Sequence, residues 1–181
     1  MGDEDQATTL ALAAGRGDRV ALERFIALTR YDVWRTVAFL ADPGSADDLT
    51  QETFLRALGA LPRFAGRSSA RTWLLSIARR VVVDQIRRNQ ARPRKAAGAD
   101  LEAMLDARPG AARFEDIIEI RMLLDALDSD RRDALLLTGV LGLSYAEAAE
   151  VCGCPVGTIR SRVARAREDL ISAARRDDRA G

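Results

Sequence analysis

The sequence predicts an all-α protein: two small helical domains joined by a flexible linker, the second carrying a helix-turn-helix. Three observations lead there. Apolar residues recur at three- and four-residue intervals through most of the chain. Ala, Leu and Arg, all strong helix formers, dominate a composition with only 5% aromatics. Residues 89–113 break the pattern with Pro93, Gly98, Pro109, Gly110 and the basic group Arg92, Arg94 and Lys95, a linker composition.

The elements follow in order. From Leu10 a helix is marked by Leu12, Val20, Leu22, Phe25 and Ile26, interrupted or restarted near Gly15–Gly17. A second spans Tyr31 to Leu40 with Val33, Trp34, Val37 and Phe39, and Asp42-Pro43-Gly44 ends it. Ser45 is a natural N-cap for a third, with Asp47 and Asp48 in its dipole-favoured first turn. That helix runs to about Leu61, before Pro62, with Leu49, Phe54, Leu55 and Leu58 assigned to its core side. After the small-residue loop Gly66–Ala70, Ser69 or a neighbour caps a helix from Arg71 to about Arg88, whose apolar positions are Trp73, Leu74, Ile77, Val81 and Ile86. These helices form a domain over residues 10–88.

Beyond the linker, Phe114 opens an amphipathic helix through Ile117, Ile118, Ile120, Leu123, Leu124 and Leu127. Asp128 to Asp130 interrupts it, and helices follow over Arg131–Val140, Tyr145–Val151 and Val156 to Ala174. They form a second domain over residues 114–174.

Composition removes several function classes. Twenty-eight basic and 27 acidic residues leave a net charge of +1, so any basic surface must be local. Lys95 is the only lysine. There is no histidine, the commonest general base and metal ligand, and neither a phosphate-binding glycine loop nor a nucleophile–base pair is evident. No enzyme activity, cofactor or metal is therefore expected. Cys152 and Cys154 lack the further ligands a tetrahedral zinc site needs, and a disulfide across that spacing would be strained. They read as small, buried, inert residues at a turn. Met1–Thr9 is acidic where a signal peptide would be basic, and no apolar run approaches the roughly 20 residues that span a bilayer. A cytoplasmic protein without membrane insertion is expected.

The most specific local pattern is Leu143–Leu170. A short helix with Ala148 and Ala149 suited to close packing meets Gly153, which can take positive φ in a tight turn, and then a second helix. This is the arrangement in which the second helix enters the DNA major groove. Val156, Ile159, Val163, Ala166 and Leu170 mark its buried stripe, and Thr158, Arg160, Ser161, Arg162, Arg165 and Arg167 its polar faces, with no acid before Glu168. Such a face supplies phosphate contacts and forked donors for guanine edges.

Two N-terminal patterns say less alone. Asp48 and Glu52 share a helix face with Gln51 nearby, and a basic partner would relieve their repulsion, though on composition alone a solvated acidic face is the preferred reading. Phe64 and Trp73 lie among Arg67, Arg71, Arg79 and Arg80, a mixture suited to unstacked single-stranded bases; plain core packing is the other reading of both aromatics.

Four stretches carry a resemblance. They are Asp47-Asp48-Leu49-Thr50-Gln51-Glu52-Thr53-Phe54, Arg71-Thr72-Trp73-Leu74-Leu75-Ser76-Ile77-Ala78-Arg79, Leu143-Ser144-Tyr145-Ala146-Glu147-Ala148-Ala149, and Cys154-Pro155-Val156-Gly157-Thr158-Ile159-Arg160-Ser161-Arg162-Val163-Ala164-Arg165-Ala166-Arg167. In this order and spacing the chain resembles the extracytoplasmic-function (ECF) class of sigma-70-type sigma factors, and most the actinobacterial members of the mycobacterial sigma factor C type. The likeness spans nearly the whole chain outside the extreme termini and part of the linker. It implies an alternative sigma factor that binds core RNA polymerase and contacts the −10 and −35 promoter elements. Asp47, Asp48, Gln51 and Glu52 would then grip the β′ clamp. Phe64, Arg71, Trp73, Ile77, Arg79 and Arg80 would act at the −10 element, and Thr158, Arg160, Ser161, Arg162, Arg165 and Arg167 at the −35 element. The β flap and an anti-sigma factor are further partners the resemblance implies. Arg80 departs from the family, which often has Asn there. The competing reading is an autonomous helix-turn-helix regulator, which would need a dimer surface of its own.

Overall fold

The computed structural model describes residues 3–41, 43–91, 124 and 127–177. Every regular element among them is helical, and the chain divides into two compact units, Met1–Met104 and Leu105–Gly181. The interior of the predicted linker and most of the helix predicted from Phe114 lie outside the described residues.

Unit 1 holds four helices: α1 (Asp3–Gly15), α2 (Arg19–Leu40), α3 (Ala46–Ala60) and α4 (Ala70–Ala91). Helices α2, α3 and α4 pack on one another, and α1 packs on α2 and α4. The core is built from Phe25, Val33, Val37, Leu49, Leu74, Leu75 and Val81. The chain is already helical from Asp3, earlier than the expected start at Leu10. The restart expected at Gly15–Gly17 is present: Gly17 has φ 99°, and the Asp18 carboxylate accepts the Ala21 N–H at 3.0 Å to cap α2.

The separate helix expected from Tyr31 is instead the second half of one 22-residue helix, α2. Its polar middle does not break it, because Thr29 is buried and donates its hydroxyl to the Phe25 carbonyl at 2.7 Å. Val20, expected on the apolar face, is exposed.

Helix α3 corrects a second expectation. Its buried side is Ala46, Leu49, Thr50, Thr53 and Ala57, while Leu55 and Leu58 point outward. Thr50 and Thr53 donate to the carbonyls of Ala46 and Leu49 at 2.6 and 2.7 Å, so their methyls can pack while no hydroxyl is left unpaired. Ser45 precedes α3 without a side-chain capping bond, whereas Ser69 Oγ accepts the Thr72 N–H at 3.1 Å at the start of α4. That helix continues through residues 89–91, the first of the expected linker, and Ile86 on it is exposed.

In unit 2, α5 (Ser129–Leu135) is capped by Asp128, whose carboxylate accepts the Arg131 N–H at 3.1 Å, and it widens into a π-helical stretch over Leu136–Val140. Next come α6 (Tyr145–Cys152) and α7 (Val156–Asp177), with α5 and α6 packed on α7. A capping box starts α6: Ser144 Oγ accepts the Glu147 N–H at 3.2 Å, and Glu147 accepts the Ser144 N–H at 2.8 Å. Gly153 ends α6 at φ 65°, the left-handed conformation the sequence calls for. Leu136, Leu137, Ala148, Ile159, Val163 and Ala166 fill the core between the three helices. Of the expected α7 stripe, Val156 is exposed and Leu170 half-buried. Arg132 donates to the carbonyls of Leu124 and Leu127 at 3.2 and 3.1 Å, tying α5 to the preceding chain.

Candidate nucleic-acid and polymerase surfaces

The stripe Ile159, Val163 and Ala166 fixes which way α7 faces. Opposite it stand Gly157, Ser161 and Ala164, all small and exposed, flanked by exposed Arg160 and Arg167 on one side and Arg165 on the other. Thr158 is half-buried at the edge. Small residues between arginines let a partner's backbone approach the helix closely.

Arg162 is different. It forms an ion pair with Asp130 on α5, and its guanidinium donates to the Cys154 sulfur at 3.7 Å. It therefore binds α7 to α5 and to the turn. Arg131 engages two more acids, Asp128 at 2.9 Å and Asp169 at 2.5 Å, and the hydrogen bond to Asp169 raises its pKa. Three carboxylates of this unit are thus paired with two arginines at the α5–α7 seam, away from Arg160 and Arg165. Cys152 and Cys154 are thiols with no disulfide, half-buried rather than buried as expected, because the Gly153 turn lies at the surface.

On α3, Asp47, Asp48 and Gln51 are exposed. Glu52 is partly covered by Arg56, 2.7 Å away, and Arg56 also reaches Asp84 of α4 at 2.6 Å. That bond to Asp84, then the one to Glu52, raises the Arg56 pKa, and Arg56 holds the Asp84 carboxyl below its ordinary value. Leu55, 58% exposed, lies on the face of Asp48 and Gln51, with Leu58 beside it. Sequence reading missed both. The signal was available in helical phase, since Leu55 falls opposite Thr53 and Ala57.

The residues expected at the −10 element separate into groups. Phe64 and Trp73 are ring partners with centroids 4.8 Å apart, each half-buried. Arg80 is exposed and donates to the Ser76 carbonyl and hydroxyl at 3.1 and 3.0 Å, and Arg79 is half-exposed one residue before it. Arg71 is held by Asp32 of α2 at 2.7 Å. Ile77 is 6% exposed and belongs to the core. Arg71 and Ile77, as placed, set the position of α4 rather than project from it.

Among the described residues no cluster of His, Cys, Asp and Glu is arranged to hold a metal ion, and no helix is long and apolar enough to cross a membrane.

Two family descriptions match the chain: Sigma-70 region 2 over residues 27–92 and Sigma-70, region 4 over residues 117–170. The ECF RNA polymerase sigma factor SigC of Mycobacterium tuberculosis is 60% identical over 179 residues, 99% of this chain and 97% of that protein. Among solved structures, CnrH in complex with the cytosolic domain of CnrY aligns with TM-score 0.72 at 27% identity, covering 95% of this chain and 99% of that one. The sigma factor RpoE in complex with the anti-sigma factor NepR from Bartonella quintana aligns with TM-score 0.64 at 26% identity, covering 85% and 96%. The chain belongs to the ECF group of the sigma-70 family of RNA polymerase sigma factors. Its role is that of an alternative sigma factor, directing promoter recognition and transcription initiation through regions 2 and 4. Sigma factors are initiation factors rather than catalytic enzymes. The autonomous-regulator reading is set aside.

Proposed function

We propose that this sigma factor divides its work between two oppositely charged surfaces. Asp47, Asp48, Gln51 and Glu52, with Leu55 at their centre, dock on the β′ clamp of core polymerase, and unit 2 engages the β flap. Arg160, Ser161, Arg165 and Arg167, with Thr158 at the edge, meet the −35 element, and Arg162 positions their helix. Phe64, Trp73, Arg79 and Arg80 take the opened −10 strand, with Arg71 and Ile77 supporting them from beneath. Arg80, where relatives often carry Asn, gives that contact a cation in place of an amide, favouring phosphate over a single base edge. An anti-sigma factor is a further partner, by analogy with the NepR complex. Its place of action is the cytoplasm.

One observation carries the reading. The exposed face of α7 offers arginines and small residues with no acid before Glu168, while Asp128, Asp130 and Asp169 are paired elsewhere. Two DNA contacts held at a fixed spacing by polymerase gain selectivity through effective concentration.

The test is transcription by core polymerase from a pool of randomised promoters, with and without the chain. Enrichment of promoters carrying two sequence blocks at constant spacing is expected. Enrichment of a single block, or a palindromic site bound without polymerase, contradicts the proposal.

A further inference from the structure

Helix α1 precedes the matched region 2, which begins at residue 27, yet it touches the segment joining α3 to α4 at its start, middle and end. Three contacts spread along that segment. At its start, Gly15 lies so close to Leu61 that a Cβ on the glycine would sit 2.7 Å from the Leu61 carbonyl oxygen. In the middle, Leu12 lies under Gly66, whose Cβ position is 3.5 Å from a Leu12 methyl. At its end, Thr8 Oγ1 accepts the N–H of Ala70, the first residue of α4, at 3.0 Å.

On its own side the segment is closed by the Phe64–Trp73 ring pair and by Ser69, which accepts the Thr72 N–H. Between these anchors Ala65, Gly66 and Arg67 are exposed. Ala70 is fully buried, so without the Thr8 oxygen its N–H would lose that acceptor in a place water does not reach. The segment would shift or loosen to recover a partner. A loosened segment must be ordered again on binding, which weakens capture.

We propose that α1 is a positioning element for promoter-strand capture, with Thr8 as the residue that fixes the entry of α4 and so the placement of Phe64 and Trp73. The inference rests on the reading of Phe64–Arg80 as the −10 surface. Thr8 touches no DNA; it acts through the backbone of Ala70.

The test uses the full chain assembled with core polymerase and a fork-junction DNA drawn from the promoter pool enriched above. Thr8→Val keeps the shape and removes the acceptor, and Thr8→Ser restores it. Thr8→Val is expected to weaken fork-junction binding about tenfold and Thr8→Ser by no more than about twofold, as a single hydrogen bond warrants. Affinity for core polymerase and for −35 duplex should stay unchanged in both. Should Thr8→Val unfold below the assay temperature, Leu12→Ala is expected to give the same selective loss. Equal fork-junction binding by Thr8→Val and the original chain overturns the proposal, as does failure of Thr8→Ser to restore it. Parallel loss of core affinity also overturns it, by showing a general loss of fold. If the original holoenzyme does not bind the fork junction at all, the −10 reading itself falls and the inference with it.

Discussion

Helices α3 and α7 treat charge in opposite ways. Beside α7, three acids of unit 2 are engaged internally: Asp130 by Arg162, and Asp128 and Asp169 by Arg131. The outer face keeps its arginines. On α3 the internal pair takes the cation, since Arg56 lies between Glu52 and Asp84, and the outer face keeps Asp47, Asp48 and Gln51. A chain with a net charge of +1 thereby presents one acidic and one basic surface. Net charge is a poor guide to partners when internal pairing decides which sign reaches solvent.

The contrast can be broken from either side, most strongly at α7. Arg160→Ala combined with Arg165→Ala is expected to weaken holoenzyme binding to −35 duplex about 100-fold and to lower the salt slope by about 1 for each phosphate no longer neutralised. Titrations at several salt concentrations measure both quantities, and core-polymerase affinity should not move. An unchanged salt slope would mean that these arginines are a solvated face.

A second test asks whether unit 1 owes its shape to close approach where unit 2 owes it to a turn. Gly15→Ala pushes a methyl into the Leu61 carbonyl and is expected to destabilise unit 1 by roughly 2 kcal/mol. Gly153→Ala meets no neighbour but forces a left-handed backbone, costing unit 2 about 1 kcal/mol. Calorimetry should show each substitution lowering the transition of its own unit alone.

Leu55→Ser sharpens the acidic surface. Because the side chain is exposed, thermal stability should stay level while core-polymerase affinity falls by about threefold to fivefold. A drop in stability with affinity intact would return Leu55 to the fold.

The smallest effect belongs to Asp84→Asn. The Arg56 hydrogen bond holds the Asp84 carboxyl below its ordinary value. Its contribution is therefore complete above the usual carboxylate range and is lost as pH falls through the depressed folded value. Both partners are well exposed, so the loss at neutral pH should not exceed about 0.5 kcal/mol, and the variant should show a flatter acid limb in pH-dependent melting.

Much of this was legible beforehand. Helical class, the helix-turn-helix and the positive φ of Gly153 follow from spacing and from the one residue type that turn accepts. Two misread places, the break expected within α2 and the core side of α3, share a physical cause, which is threonine. Thr29 falls between the two helices expected where α2 is continuous, and Thr50 and Thr53 take the core side of α3 on which Leu55 and Leu58 were expected; each threonine returns its hydroxyl to a carbonyl four residues back and is buried. Once those threonines and the small Ala46 and Ala57 take the core side, Leu55 and Leu58 must face outward. The functional arginines were harder to sort. Arg71 and Arg162 read as contact residues because their partners, Asp32 and Asp130, lie 39 and 32 positions away in the chain. The support α1 gives to the α3–α4 segment was hidden for the same reason: Thr8 and Ala70 are 62 positions apart.

The most direct test of the central claim is the affinity of the purified chain for core RNA polymerase, measured beside Asp48→Arg and beside Arg160→Ala. Opposite surfaces predict saturable binding that Asp48→Arg weakens about tenfold or more and that Arg160→Ala leaves unchanged. Equal binding by Asp48→Arg and the original chain, or loss of core binding in Arg160→Ala, would contradict the division of labour between α3 and α7.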